Sequence, residues 1–453
     1  MSNPDNLISK LEGIVGKAHV IHDPDTLKAS AIDGKVPKAI VSPGTMDEVS
    51  AIVAHAHEDR LAVTPRGGGT KLGMGCIPKK VDLVLSTGRL IRVTDCDCDN
   101  LTLSVESGVT LSEVQRDLEG RGYFLPLDPP FTEKATLGGI VATNSSGPKR
   151  LFYGTARDLI TGIRAVFPDG DIVISGGKTV KNVSGYDMVK LLIGSLGTLG
   201  IICEITFTLL PLPEKKQTVL IPFPGLDEAY GFVHEVMNSQ LLPASIDLLD
   251  ATAAEKLKHL MPLQKGKYLV AIGLEGVAET VERQTSEMGE RGKKHGALDV
   301  APLDGERQNE FWKGIRDFAQ GLTKDCPNLI SLKSNVLISK GAELLGSYEK
   351  IARGLGLDCA FINRCGNGIL HSHVLVGEDL DANIDSLVEL ITHFTSEASQ
   401  YEGNLGVESS PLPVKERVDV WGKPRADYRI MHRIKQQIDP AGILSPGRFI
   451  GGI

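Results

Sequence analysis

Glycine-rich segments between Pro65 and Gly200 constrain this chain more than any other feature. The first is Pro65-Arg66-Gly67-Gly68-Gly69-Thr70. The second runs from Thr136-Leu137-Gly138-Gly139 to Asn144-Ser145-Ser146-Gly147. The third is Lys181-Asn182-Val183-Ser184-Gly185-Tyr186-Asp187, followed by Gly194-Ser195-Leu196-Gly197-Thr198-Leu199-Gly200. None has the G-x-G-x-x-G pattern, with an acidic residue downstream, that marks a nicotinamide-binding fold. Glycine has no Cβ, so its backbone N–H can approach a pyrophosphate closely and its φ can turn positive. Such turns at successive strand ends imply one phosphate-bearing cofactor wrapped by several loops.

The chain has 453 residues, 41% hydrophobic and 23% charged, which suits a soluble globular protein of two or three domains. A net charge of −8 and an aromatic content of 5% argue against a nucleic-acid partner, which needs cationic surface and stacking platforms. A small anionic substrate remains compatible, because a pocket can reverse the global sign. No apolar run reaches the roughly 18–20 residues that cross a membrane. Met1 to Lys10 shows no basic region leading into an apolar core, so no secretory signal is expected. The seven cysteines include no C-x-x-C pair, which argues against a zinc or iron–sulfur centre within the chain. Cys96 and Cys98, set among aspartates, read as reduced thiols of a cytoplasmic protein.

Leu7, Ile8, Leu11, Ile14 and Val15 recur at helical spacing. A strand at Ala39–Val41 precedes a helix bearing Val49, Ile52, Val53 and Ala56, with Thr45 as its cap and Glu48 completing a capping box. The strand Leu61–Thr64 leads into the first glycine segment. Short strands are expected at Val81–Leu85, Ile91–Thr94 and Leu101–Val105, then a helix over Leu111–Arg121. Thr161–Phe167 and Asp171–Ser175 read as a hairpin about Pro168-Asp169-Gly170. Ile201–Leu210 reads as a buried strand. Pro211-Leu212-Pro213-Glu214-Lys215-Lys216 has the composition of a linker. Beyond it, helices (Leu226–Met237, Val277–Arg291) alternate with strands (Tyr268–Leu274, Ile330–Val336). A basic helix over Tyr428–Ile438 precedes the closing Gly442 to Arg448.

Together these motifs resemble the flavoenzyme family of vanillyl-alcohol oxidase and D-lactate dehydrogenase type. Within it, Ser146 to Arg150 and Lys181 to Asp187 are similar to the signature of the smaller flavin subunit of bacterial glycolate oxidase. The resemblance implies an α+β fold: a two-part PCMH-type FAD-binding domain with an α+β cap that takes the substrate. The expected division is an N-terminal helical segment (1–35), the FAD domain (36–213), the cap (214–424) and a C-terminal segment (425–453) returning to the FAD domain. It also implies the cofactor residues: Pro65, Arg66, Gly67, Gly68, Gly69 and Thr70 in the pyrophosphate loop; Pro129, Thr136, Gly138, Gly139, Ala142, Thr143, Asn144, Gly147 and Tyr153 beside it; and Lys181, Gly185, Tyr186, Asp187, Gly200 and Ile201. Some relatives attach FAD through a histidine where this chain has Thr70, so non-covalent FAD is expected.

In relatives that oxidise D-2-hydroxy acids, an Arg follows a Trp in the cap, and a Lys follows in an apolar strand. Phe311-Trp312-Lys313-Gly314-Ile315-Arg316 and Leu332-Lys333-Ser334-Asn335-Val336 match those patterns. Arg316 and Lys333 would then grip the substrate carboxylate, the Arg with two parallel hydrogen bonds. Alternatively, Arg316 pairs with Asp317 or Glu310, and Lys333 is a solvated edge residue. The family's H-x-G-D-G-N-x-H loop reads here Arg364-Cys365-Gly366-Asn367-Gly368-Ile369-Leu370-His371, and its S-G-E-H-G segment reads Val407-Glu408-Ser409-Ser410. Two metal ligands survive, His371 and Glu408. Arg364 replaces the first, and Ser409 replaces the histidine assigned as the base. Three protein ligands are usual for a catalytic zinc, so no metal is expected, and Arg364 would supply the positive charge instead. His373, two residues along the strand from His371, is a candidate base; the bland reading makes both hydrogen-bonded strand histidines.

The implied chemistry is FAD-dependent oxidation of glycolate, D-lactate or a similar 2-hydroxy acid, with electrons passed to a protein or quinone. An iron–sulfur subunit, and a sister flavin subunit, are the implied partners. The expected location is cytoplasmic, peripheral to the inner membrane through those partners. The alternative is a non-catalytic or electron-relay FAD subunit of a glycolate-oxidase-like complex, and delivery to O₂ is a third reading.

Overall fold

The computed structural model describes residues 4–178, 185–262, 266–422 and 425–453. The chain divides into two compact units. One comprises Met1–Ser146, Thr155–Leu212 and Lys423–Ile453; the other comprises Gly147–Gly154 and Pro213–Gly422. The N-terminal helical segment is grouped with the first unit. Leu7, Leu11 and Val15 of the helix Pro4–Val15 sit in the same core as Val49, Ile52, Val53 and Ala56. Residues 147–154, expected within the FAD domain, belong to the second unit.

The first unit is built on two sheets. One has the order Val20–Ile21, Ala39–Val41, Leu83–Ser86, Val63–Arg66, its last three strands parallel. The helix Met46–Glu58 connects two of these strands. It buries Val49, Ile52, Val53 and Ala56 at i, i+3, i+4, i+7 spacing, each large side chain contributing about 1.5–3 kcal/mol. Thr45 caps it by accepting from the Glu48 N–H at 3.1 Å. The expected reciprocal bond shifts by one residue, because the Glu48 carboxylate accepts from the Gly44 N–H at 2.7 Å.

The other sheet is antiparallel, ordered Val93–Asp97, Thr102–Glu106, Ile201–Thr208, Ile160–Val166, Ile172–Gly176. The expected hairpin is present as the pairing of Ile160–Val166 with Ile172–Gly176. Val105, Ile205, Phe207, Ile163 and Ala165 point from this sheet into a second core. The expected linker is partly strand: Leu210–Pro211 pairs with Tyr123–Phe124, and Lys215 and Lys216 open the strand Lys215–Phe223. Pro211 ends the first of these strands, and Lys215, paired across the ladder with Gly276, makes an ion pair with Glu282 at 2.8 Å.

Lys435 ties the C-terminal helix Tyr428–Ile438 into the first unit. Its buried ammonium donates to the carbonyls of Thr198 (2.7 Å) and Leu444 (2.9 Å) and to the Asp439 carboxylate (2.5 Å). Leu444 then bridges in parallel to Val63 at the root of the first glycine segment.

The second unit is an eight-stranded antiparallel sheet. Its order is Ala301–Leu303, Lys215–Phe223, Tyr268–Gly276, Ser245–Asp250, Cys359–Arg364, Ile369–Val374, Ile330–Asn335, Asn404–Ser409. On one face, Leu249, Leu269, Ala271 and Ile362 pack with Phe311, Ile315 and Phe318 from the helices Gly305–Arg316 and Phe318–Leu322.

Candidate functional site

A cleft in the first unit collects residues of the glycine segments. Pro65, Arg66, Gly67, Gly68, Gly69, Thr70, Thr136, Gly138, Gly139, Ala142, Thr143, Gly200 and Ile201 all line it. The second segment does not lie at a strand end as expected. Thr136 caps the short helix Leu137–Thr143, its hydroxyl accepting from the Gly139 N–H at 3.3 Å. The glycines have a role that the sequence reading did not include. Only Gly69 of the first segment has positive φ (74°). A Cβ on Gly67 would lie 2.0 Å from Thr136 Oγ1, and one on Gly68 would lie 1.8 Å from the Lys134 carbonyl oxygen. Both glycines are therefore required where two cleft-forming segments meet, before any ligand is considered. A cleft walled by backbone and small residues suits an extended phosphate-bearing cofactor, because backbone N–H groups can approach its phosphates.

Several expected residues lie elsewhere. Pro130 lines the cleft where Pro129 was expected. Asn144 ends the helix Leu137–Thr143 in left-handed conformation (φ 46°), a position a short polar side chain tolerates. Gly147 and Tyr153 belong to the second unit. There the Tyr153 hydroxyl donates to Glu275 at 2.8 Å, and Lys149 pairs with the same carboxylate at 2.6 Å. Burial and the Glu275 charge raise the Tyr153 phenol above its usual range. Gly185 takes positive φ (82°), Tyr186 is 95% exposed, and Asp187 caps the helix Met188–Leu192 by accepting from the Lys190 N–H at 3.0 Å. These three shape a turn and a helix start and do not line the cleft. Lys181 lies outside the described residues.

Ser445 and Arg448 line the cleft without having been singled out. The Arg448 guanidinium donates to the carbonyls of Leu72 and Met74 and pairs with Asp33 at 3.0 Å, which holds the continuation of the first glycine segment in shape. The closing Gly442 to Arg448 was visible in sequence, but its position depends on the fold.

Of the candidate catalytic residues, Lys333, Arg364, His371, His373 and Glu408 lie on neighbouring strands of the eight-stranded sheet, whereas Arg316 lies on a helix. Directly opposed residues on neighbouring strands share a face. His371 stands opposite Lys333 on one side and Ile362 on the other; His373 stands opposite Ser331 and Ala360. Arg364 stands opposite Asp247. Glu408 enters through a β-bulge: Leu332 pairs with Val407 and Ser331 with Ser409, leaving Glu408 as the extra residue. Asp247, fully buried, carried no motif that would reveal it in sequence.

The two imidazoles lie parallel, with centroids 6.4 Å apart. His373 Nδ1 and Ser331 Oγ are hydrogen-bonded at 3.1 Å, and its ring packs on Phe318 at 5.1 Å. Burial above all pushes His373 down to about 4, with Glu408 opposing and Arg364 adding. His371 is likewise held well below the ordinary imidazole value, first by burial and then by Arg364, against Glu408. Its Nε2 is buried and makes no hydrogen bond. Both rings are therefore neutral near pH 7, and His371 keeps a nitrogen uncommitted. Arg316 is the last residue of the helix Gly305–Arg316, two residues before Phe318. In that helix the Trp312 indole N–H donates to Thr218 Oγ1 at 2.8 Å.

Among the described residues, no group of three or more His, Cys, Asp or Glu side chains is placed to hold a metal ion. No helix among the described residues is long and apolar enough to cross a membrane.

Comparison with known proteins agrees with both units. Residues 37–176 match the FAD binding domain family, and residues 212–449 match the C-terminal domain of FAD linked oxidases. The chain is 29% identical to glycolate oxidase subunit GlcD of Bacillus subtilis (strain 168), over 91% of this chain and 89% of that one. It is 30% identical to a D-lactate dehydrogenase of Archaeoglobus fulgidus, over 91% of each. In fold it is similar to 4-ethylphenol oxidase from Gulosibacter chungangensis, with a TM-score of 0.77 at 17% identity over 98% of this chain and 96% of that one. A glycine-walled cleft in one unit and a charged sheet face in the other are what this chain builds as a member of the FAD-linked oxidase family of oxidoreductases.

Proposed function

We propose that the chain oxidises a D-2-hydroxy acid of the glycolate or D-lactate class to the 2-oxo acid, using FAD held non-covalently in the glycine-lined cleft. One observation carries this reading. His371, with a buried Nε2 that makes no hydrogen bond, lies directly across the ladder from Lys333, on the sheet face that also bears Arg364 and Glu408. His371, neutral near pH 7, takes the substrate hydroxyl proton at Nε2, a contribution of about 10²–10⁴ in rate. Lys333 and Arg316 hold the carboxylate and so orient the α-carbon. Arg364 supplies a fixed positive charge where proton loss leaves negative charge on the substrate oxygen. Bound FAD supplies the hydride acceptor. Thr70 in the first glycine segment offers no imidazole for covalent attachment, in keeping with a non-covalent flavin.

The seven cysteines lie outside any cluster-binding spacing, so onward electron transfer is assigned to a separate iron–sulfur protein or a quinone. A glycolate oxidase subunit among the relatives supports membership of a multi-subunit assembly. A sister flavin subunit and a cytoplasmic site peripheral to the membrane belong to the same proposal.

A second reading, an FAD-binding relay subunit that oxidises no substrate, is favoured by Arg364 and Ser409 in positions where hydroxyacid-oxidising relatives carry histidines. Anaerobic mixing of the yellow protein with glycolate, D-lactate and L-lactate separates the two. Bleaching by glycolate or D-lactate is the expected result. Bound FAD that dithionite reduces, but none of the three acids bleaches, establishes the relay reading instead.

A further inference from the structure

Cys96 and Cys98 form a pair that neither the fold nor the proposed oxidation uses. Cys96 lies in Val93–Asp97, the edge strand of the five-stranded sheet, opposite Leu103. Cys98 follows the end of that strand and opens the turn into Thr102–Glu106, its carbonyl accepting from the Leu101 N–H at 3.2 Å. The two side chains sit either side of the strand end, with their sulfurs 3.8 Å apart. Both residues are half-exposed, whereas Cys203, Cys326, Cys359 and Cys365 are buried. Cys96 packs against the core of the unit, and Cys98 stands on the turn. A disulfide needs the sulfurs at about 2 Å, a closure within reach of side-chain rotation and a small shift of a turn residue outside the ladder.

The charge around the pair selects the oxidant. Asp95, Asp97 and Asp99 alternate with the two cysteines; Lys178 pairs with Asp95 at 2.8 Å and the nearby Arg121 with Asp117 at 3.1 Å, which leaves Asp97 and Asp99 to set the local sign. Hydrogen bonds from the Asn100 side chain and backbone hold the Asp97 carboxyl below its usual range, so it stays ionised. An anionic disulfide such as oxidised glutathione meets like charge there, while a small neutral peroxide does not.

We propose that Cys96 and Cys98 are a redox-active dithiol that hydrogen peroxide oxidises to an intrachain disulfide. The Cys98 thiolate attacks one peroxide oxygen, the O–O bond breaks, and hydroxide leaves and is protonated to water, giving a sulfenic acid. The Cys96 thiolate then attacks that sulfur; the S–S bond forms, the S–O bond breaks, and a second water leaves. Two thiols lose two electrons and two protons, and one peroxide becomes two waters.

The test is peptide mapping of the full-length, FAD-loaded protein after treatment with stoichiometric hydrogen peroxide. The tryptic peptide Val93 to Arg116 carries both cysteines and no other. It is expected to lose two hydrogens and to regain them with dithiothreitol. Cys96→Ser and Cys98→Ser each abolish that change, while Cys76→Ser leaves it intact. A peptide that stays fully reduced, or that gains oxygen as sulfinic acid without losing two hydrogens, overturns the proposal. Oxidised glutathione at the same concentration is expected to act at least tenfold more slowly; equal rates overturn the assignment to a neutral peroxide.

Discussion

Asp247 and Arg364 stand directly opposite one another on adjacent antiparallel strands, both buried. Two opposite charges removed from water compensate each other, and removing one leaves the other exposed to the full cost of desolvation. Asp247→Ala is expected to destabilise the second unit by about 3–5 kcal/mol. Asp247→Leu combined with Arg364→Met is expected to recover most of that loss. Urea unfolding of the single and double variants checks the pair; equal losses in both would show that the charges are not coupled.

Gly67 and Gly68 differ in what a side chain would meet, and this gives a rescue experiment. A Cβ at residue 67 meets the Thr136 hydroxyl, which a substitution can remove; a Cβ at residue 68 meets the Lys134 carbonyl, which none can. Gly67→Ala is expected to lose FAD, and Gly67→Ala with Thr136→Ala to regain it. Gly68→Val is expected to lose FAD whatever accompanies it. The ratio of flavin to protein absorbance after gel filtration reads all three.

Arg316→Ala is expected to raise KM for the 2-hydroxy acid or to abolish turnover, with FAD content unchanged. Steady-state kinetics beside the flavin-to-protein ratio measures both. Unaltered kinetics would remove Arg316 from the carboxylate site.

His373 predicts an acid limb of stability. Its folded value is about 4 against an ordinary 6.5, so between those pH values the unfolded chain binds more protons than the folded one. Stability is then fully present above pH 6.5 and is lost as pH falls toward 4, by an amount on the order of 3 kcal/mol. His373→Gln, which cannot titrate there, is expected to reduce this limb and to leave the part that His371, also held below its ordinary value by burial, contributes. Denaturant midpoints across the pH window provide the comparison.

Lys435→Met is expected to cost roughly 2–4 kcal/mol, because two carbonyls and the Asp439 carboxylate lose their common donor in a buried setting. The Tyr428–Ile438 helix should then become the first site of limited proteolysis, detected as early loss of the C-terminal peptides.

Local features were legible where contiguous residues encode them. The helices Leu226–Met237 and Tyr428–Ile438 follow from apolar spacing and punctuation alone. So does the membership of the first two glycine segments in one cleft, because each carries its small residues within a few positions. Tyr186 and Asp187 show the limit of motif reading: residues within a motif can serve the turn that presents it, one left in solvent and the other capping a helix. Tyr153 shows it again, since its partner Glu275 is far along the chain.

Residue identity at adjacent positions accounts for the small residues that wall the cleft and for Arg364 and Ser409, which stand where the motifs of the resembled family have histidines. Only the tertiary structure decided which residues meet. The facing of Lys333 and His371, the burial of Asp247 across from Arg364, and the projection of Glu408 depend on strand register and on one bulge. A one-residue slip in either would turn those side chains to the opposite face. The neutrality of His371 and His373 follows from that assembly, because burial on the formed sheet removes the water that would stabilise their protonated forms.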